Sequence, residues 1–355
     1  MNNQPLAFLI AFAVTIILTP LSIIAAKKVG AIDYPGGRRI NKKPVTRLGG
    51  IAIYGGFWAA VLGTQGISRD IMGLLLGSLV IFLAGLWDDI RGLRPLYKFL
   101  WQIAAVVVLL LFGFNMESFS LPLIGQIQLD KHGLGFLSVV LTLFWMVGMI
   151  NTVNILDGLD GLAAGICLIV ALLLFWSARQ ISDYPQALSA AHWTLALAGA
   201  ALGFLFFNFY PSRLFMGDSG SMFLGFVIGG VSIYGLLKTA TILGLVFPLL
   251  ILALPLSDIT FSIIRRKLRG KPIAEADGGH LHHRLLDVGL TQRQAALLLY
   301  LISGGFGLAA VLLAKGHWVW ALLLLVFDFS LLLSILFRRK YLSAIFRKKL
   351  NKSGG

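Results

Sequence analysis

The sequence predicts an all-α polytopic membrane protein of about eleven transmembrane helices, and three observations carry that prediction. Hydrophobic residues make up 58% of the 355 residues and charged residues only 13%, against roughly 25% charged in a soluble domain. Mean hydropathy is +0.87. Apolar runs of about 17 to 25 residues, each long enough to cross a ~30 Å hydrocarbon core as a helix, recur from the first residues almost to the last.

The first run, near 5–26, follows "MNNQP", which has no positive charge, and precedes Lys27 and Lys28. It is long for a signal-peptide core, so it reads as a true span with its N-terminus outside. Runs near 48–66 and 70–87 come next, separated by "TQGISRD", and the run near 98–114 follows "LWDDIRGLRPLYKFLWQ". The segment after it, "NMESFSLPLIGQIQLDKHG", alternates apolar and polar residues around a Pro and a Gly and predicts a small β-hairpin. Runs near 135–153 and 159–178 flank "NILDGLDG", and those near 189–209 and 219–237 flank "FYPSRLFMGDSGS". The remaining spans lie near 241–264, 295–314 and 317–337. Residues 1–337 are expected to form one membrane domain, and the basic tail 338–355 an interfacial anchor.

Lysine and arginine sort by side. Segments after odd-numbered spans hold Lys27, Lys28, Arg38, Arg39, Lys42, Lys43, Arg47, Arg91, Arg94, Lys98, Arg213, the cluster from Arg265 to Arg293 and the tail from Arg338. The opposite segments hold only Arg69, Lys131, Arg179, Lys238 and Lys315. Odd-numbered connections and the C-terminus are therefore expected in the cytoplasm. The net charge of +15 then reads as topology and attraction to anionic membrane lipids, not as a nucleic-acid footprint. A lone Cys167 inside an apolar run permits no disulfide within the chain.

The polar motifs share this parity. They follow spans one, three, five, seven and nine, so all five open on one face and are expected to converge there. Asp88 and Asp89 read alone either as solvated loop carboxylates or as adjacent acids fit for a divalent cation or a substrate proton. Asn154, Asp157 and Asp160, three residues apart, predict a polar stripe along one helix face, lining a cavity or capping two abutting helices. Gly158 and Gly161 leave room for close approach. In "FMGDSGS", Asp218 and the following hydroxyls suit a helix N-cap, and equally a helix N-terminus where an acid holds Mg²⁺ against a phosphate. Phe215 offers a flat surface for a base or an interfacial anchor. "HLHHR" holds His280, His282, His283 and Arg284. With no matching Cys it suits phosphate better than zinc. His132, His192 and His317 stand alone and read as structural.

Together these residues form an inventory for metal-assisted phosphoryl transfer at a bilayer surface, with a lipid as acceptor. No P-loop is present, which excludes an ATP motor of that type. A transporter would place its acids near mid-membrane, open to both sides in turn. A lipid-binding scaffold would have no use for the clustered acids.

Five motifs, "RRINKKPVTRLGGIAIY", "LAGLWDDIRGLRPLYKFLWQ", "NTVNILDGLDGLAAG", "FNFYPSRLFMGDSGSMFLGF" and "HLHHRLLDVGLTQRQ", in this order across about residues 20 to 315, resemble the polyprenyl-phosphate N-acetylhexosamine-1-phosphate transferases. The resemblance implies that undecaprenyl phosphate attacks the β-phosphorus of a UDP-N-acetylamino sugar in the bacterial cytoplasmic membrane, releasing UMP. It implies a Mg²⁺ requirement, with Mn²⁺ as a substitute, and by analogy a homodimer. It casts Asp88 and Asp89 as the acids that engage the lipid phosphate and Lys98 as the lysine following them. Asn154, Asp157 and Asp160 would line the nucleotide-sugar site, Asp218 would be the metal ligand, and Phe215 would stack on uracil. His280, His282 and His283 would meet the sugar-phosphate end, with Arg284 beside them, and Arg38 and Arg47 would contact the lipid phosphate. Within the family, "HLHHR" is similar to the undecaprenyl-phosphate N-acetylglucosamine-1-phosphate transferase branch; the alternative is the phospho-N-acetylmuramoyl-pentapeptide transferases. "EADGGHLHH" places two glycines where many relatives carry charge.

Overall fold

A computed structural model describes residues 3–35, 44–121, 125–129, 135–237, 253–268 and 281–350. The chain divides into two compact units, Met1–Leu249 and Leu250–Gly355. Among the described residues, seven helices are long and apolar enough to cross a membrane, so the protein is a multi-pass membrane protein built almost wholly of helices, as composition predicts.

The first unit opens with α1 (Gln4–Val29), whose buried face after Gln4 is Ala7, Ala11, Thr15, Thr19, Ser22 and Ala26. These are small residues about one turn apart, the pattern that lets helix backbones approach closely where lipid supplies no hydrophobic drive. Their partners are glycines. A Cβ on Gly203 of α7 (Pro185–Asn208) would lie 2.8 Å from the Phe12 carbonyl, and one on Gly56 of α2 (Gly49–Gln65) would collide with the Thr15 hydroxyl. Between α1 and α2, two short strands, β1 (Ile32–Asp33) and β2 (Val45–Thr46), pair antiparallel. They close the neck of the first loop.

Helices α3 (Arg69–Arg91) and α4 (Pro95–Leu111) form a hairpin. Strands β3 (Ser118–Leu121) and β4 (Gly125–Gln128) then pair antiparallel, the hairpin expected from the alternation there. Next come α5 (Gly135–Leu156), α6 (Leu162–Gln180) and α7, and then α8 (Gly217–Val231), which continues through a π-helical turn at Ser232–Leu237. Every residue of α8 from Ser219 to Val231 is buried. It is the central post of the unit, packed against α2, α3 and α5. The packing uses glycine again: a Cβ on Gly225 would come 2.7 Å from the Met149 carbonyl, and one on Gly85 would come 2.5 Å from Ser219 Cα.

The three-residue spacing predicted one helical stripe through Asn154, Asp157 and Asp160. The structure corrects this. Helix α5 ends at Leu156, a turn follows, and Gly161 sits at φ +77° before α6 begins. Gly161 supplies the left-handed backbone that this turn requires before α6. Only Asn154 remains helical.

The second unit contains α9 (Ala253–Leu268), α10 (Leu281–Asp287), α11 (Gln292–Ala314) and α12 (Trp318–Leu350). Helix α11 starts with a capping box in which Thr291 and Gln294 satisfy each other's backbone amides. It forms a hairpin with α12 around Gly316, at φ +79°. The first half of the predicted span near 241–264, residues 241–252, lies outside the described residues.

Candidate active site

Four of the five predicted motifs belong to the first unit, and the structure brings them to one end of it. The α3–α4 hairpin supplies the first pair of groups. Asp88, in the last turn of α3, accepts a 2.6 Å bond from the Leu93 amide through Oδ1, which fixes the short connection. Its Oδ2 lies 3.0 Å from the ammonium of Lys98, in the first turn of α4. That same ammonium is 2.8 Å from Asp218 Oδ2 and donates to Asn154 Oδ1 at 3.4 Å. One cation on α4 therefore gathers two carboxylates and an amide from three other helices. Asn154 Nδ2 in turn donates to Asp218 and, at 2.9 Å, to the Ser221 hydroxyl.

Asp89 has a different place from its neighbour. Adjacent residues on a helix point about 100° apart, and Asp89 turns inward to the start of α8. Its Oδ1 accepts from the Asp218 amide at 2.7 Å, and its Oδ2 accepts from the Ser219 amide at 3.0 Å and the Ser219 hydroxyl at 2.6 Å. This is an N-cap supplied from another helix. The N-terminus of α8, one candidate for binding phosphate, thus already has a carboxylate on its first-turn amides. Nor are Asp88 and Asp89 a pair of solvated loop acids, since both stand within α3 and Asp89 is buried.

The loop before α8 is tied down from two sides. Asn208 donates to the Leu214 carbonyl at 2.9 Å and accepts from the Gly161 amide at 3.1 Å, while Asp160 accepts from the Ser212 amide at 3.0 Å. The first loop closes over it: the Phe215 amide donates to the Thr46 carbonyl at 2.8 Å, and the Phe215 and Met216 carbonyls accept from Gly49 and Gly50 at the start of α2. Phe215 is partly buried at this junction. Arg47 forms an ion pair with buried Asp33 and lies near enough to Asp157 to lower its proton affinity.

Asp157 stands in the turn after α5. Burial pushes its carboxyl up to about 8, with the charges of Asp218 and Asp89 adding to the effect and Arg47 opposing it. Asp160 is also raised by burial, partly offset by its bonds from Ser212.

His282, His283 and Arg284 stand on α10 in the second unit. Arg38 and His280 lie outside the described residues. Motif reading assigned no part to Gln102, which bonds Asn151, or to Asn208, which ties the loop before α8, and it read the hydroxyls of Ser219 and Ser221 only as helix caps, whereas they bond Asp89 and Asn154. Their signal was present in outline, since each is a polar side chain inside or at the edge of an apolar run.

The family model described as "Glycosyl transferase family 4" matches residues 71–236, the stretch carrying Asp88, Lys98, Asn154 and Asp218. A protein of Bacillus subtilis (strain 168) named "Probable undecaprenyl-phosphate N-acetylglucosaminyl 1-phosphate transferase" is 36% identical, over 93% of this chain and 90% of its own length. The chain belongs to this family. Two further relatives extend the likeness: a "Decaprenyl-phosphate N-acetylglucosaminephosphotransferase" of Mycobacterium leprae (strain TN), 35% identical over 88% of this chain and 84% of that protein, and an "Undecaprenyl-phosphate alpha-N-acetylglucosaminyl 1-phosphate transferase" of Escherichia coli (strain K12), 28% identical over 92% and 89%. The resemblance read from the five motifs is borne out.

Proposed function

We propose that this protein transfers N-acetylglucosamine-1-phosphate from UDP-N-acetylglucosamine to undecaprenyl phosphate at the cytoplasmic face of a bacterial cytoplasmic membrane. An oxygen of the lipid phosphate forms a bond to the β-phosphorus, the bridging P–O bond breaks, and UMP leaves. The observation that carries the reading is the convergence of Asp88, Asn154 and Asp218 on Lys98, at helix ends where a lipid headgroup and a soluble nucleotide can meet. The names of the relatives support the sugar and the lipid class, and the sidedness of Lys and Arg supports the cytoplasmic face.

Both substrates are anionic, so the site must offset charge before phosphorus can be attacked. Lys98 supplies one positive charge. Asp88, Asp218 and Asn154 offer hard oxygen donors close together. That suits Mg²⁺, or Mn²⁺ in its place, which binds through one or two carboxylates together with substrate phosphates. The ion would be held by Asp218, with Asp88 and Asn154 beside it, and would supply neutralisation of the pyrophosphate and of the leaving group. Asp88 orients the lipid phosphate. Asp160 and Phe215 shape the donor site through the loop before α8, with Phe215 stacking on uracil. By motif resemblance alone, Arg38, Arg47, His280, His282, His283 and Arg284 are assigned to the phosphates.

The deciding experiment measures UMP release by purified protein given undecaprenyl phosphate, Mg²⁺ and, separately, UDP-GlcNAc, UDP-GalNAc or UDP-MurNAc-pentapeptide, with EDTA controls. Lipid-dependent, EDTA-sensitive release with UDP-GlcNAc is expected. Release with the pentapeptide donor would move the protein to the peptidoglycan branch, and no release with any donor would overturn the reading.

A further inference from the structure

Asn151 opens the motif "NTVNILDGLDGLAAG", three residues before Asn154. Asn151 stands one turn before Asn154 on α5, and Gln102 stands one turn after Lys98 on α4. The two amides bond reciprocally: Asn151 Nδ2 donates to Gln102 Oε1 at 2.8 Å, and Gln102 Nε2 donates to Asn151 Oδ1 at 3.2 Å. Asn151 Nδ2 also donates to the Val147 carbonyl at 2.8 Å, and Gln102 Nε2 lies 3.8 Å from Met222 Sδ on α8. Gln102 is 1% exposed. The clasp therefore touches the three helices that carry Lys98, Asn154 and Asp218, one turn deeper than those groups.

We propose that Gln102 and Asn151 are positioning residues for the charged centre, fixing the register of α4 against α5 so that Lys98 reaches Asn154 and Asp218. This inference rests on the transferase reading above. A primary amide has a donor side and an acceptor side, so two of them satisfy each other in one relative placement only. The other buried residues on this face of α4 are Ala105, Val106 and Leu109, whose side chains pack without directional bonds. Moving α4 by a single residue shifts it about 1.5 Å and turns it about 100°. Either change takes the Lys98 ammonium out of reach of oxygens that it meets at 2.8 to 3.4 Å. Within a membrane, a satisfied polar pair between helices adds a directional pin to apolar packing.

The test compares full-length wild-type protein with Gln102→Leu, Asn151→Leu, the double Leu variant and the exchange Gln102→Asn/Asn151→Gln. Mn²⁺ binding without substrate is followed by electron paramagnetic resonance, and UMP release gives kcat and the donor KM. Each single Leu variant is expected to weaken Mn²⁺ binding and lower kcat by about tenfold or more, with donor KM changed less than about threefold. The double variant should be no worse than the poorer single one, because one interaction is lost in all three. The exchange variant should recover most of both losses. Leu variants that keep wild-type Mn²⁺ affinity and kcat per folded molecule, losing only thermal stability, would overturn the proposal, as would a wild-type sample that binds no Mn²⁺. If the Leu variants do not fold, Asn151→Ser and the exchange variant decide, and equal Mn²⁺ affinity in those two overturns it. Failure of wild-type protein to release UMP would sink the transferase reading instead, while the Mn²⁺ affinities still judge the clasp.

Discussion

The Asp89 carboxylate caps α8 at Ser219, taking both the amide and the hydroxyl of that residue on Oδ2 at 3.0 and 2.6 Å while Oδ1 takes the Asp218 amide. Asp88, its neighbour in sequence, instead meets Lys98. Two adjacent acids thus divide the work: one builds the helix end that presents Asp218, and the other faces the centre.

This division predicts different failures for the two Asn variants. Asp89→Asn turns one acceptor into a donor against backbone amides, a change that costs about 1–3 kcal/mol for each buried group left unsatisfied. It should lower the thermal midpoint by several degrees and reduce turnover with it. Asp88→Asn should leave the midpoint nearly unchanged and cut UMP release by about a hundredfold or more. Thermal scans beside turnover assays check this; matching thermal losses in both variants would refute the division.

Gly217 supports the same cap. Its backbone sits at φ +73°, and a Cβ there would lie 2.5 Å from Asp89 Oδ2. A left-handed backbone costs an ordinary residue about 1–2 kcal/mol, and the clash adds to that. Gly217→Ala should therefore destabilise the protein and disturb the Asp89 cap, which is visible as a lower thermal midpoint and weaker Mg²⁺ activation. A variant with wild-type midpoint and Mg²⁺ response would show that the cap tolerates displacement.

Lys98 has no substitute of equal shape. Its single ammonium meets three oxygens at 2.8 to 3.4 Å, and a planar guanidinium needs a wider, forked arrangement. Lys98→Met should lower turnover by about a hundredfold or more, and Lys98→Arg should recover little of it despite restoring the charge. Near wild-type turnover in Lys98→Arg would mean that charge alone suffices.

Much of this arrangement is legible in the sequence, because a bilayer imposes long apolar runs and charge sorting imposes sidedness. Those two constraints were enough to place Asp88, Lys98, Asn154 and Asp218 on one face, where the structure joins them. What escaped has short-range causes. Spacing alone made Asn154, Asp157 and Asp160 a helical stripe, since a period of three does not reveal the break after Leu156, which ends at the left-handed Gly161. The two-residue pairing of Ile32–Asp33 with Val45–Thr46 is too short to leave any periodicity. The direction of each acid in "WDD" depends on where α8 begins, which sequence did not specify.

Asp157 gives a pH dependence whose sign follows from its raised carboxyl, from the ordinary 3.8 to about 8 in the fold. The folded chain holds this proton more tightly than the unfolded chain. Below about pH 4 both states are protonated and stability does not vary with pH through this group; from there towards pH 8 the unfolded state ionises first, and stability falls by up to about 1.4 kcal/mol per pH unit. The advantage is thus present in acid and lost as the pH rises. Asp157→Asn mimics the protonated form and removes the dependence. In EDTA, so that no metal alters the balance, the wild-type thermal midpoint should fall between about pH 5 and pH 8 more steeply than that of Asp157→Asn. Parallel curves would mean that Asp157 is already ionised in the folded protein and that its negative charge, not its proton, belongs to the site.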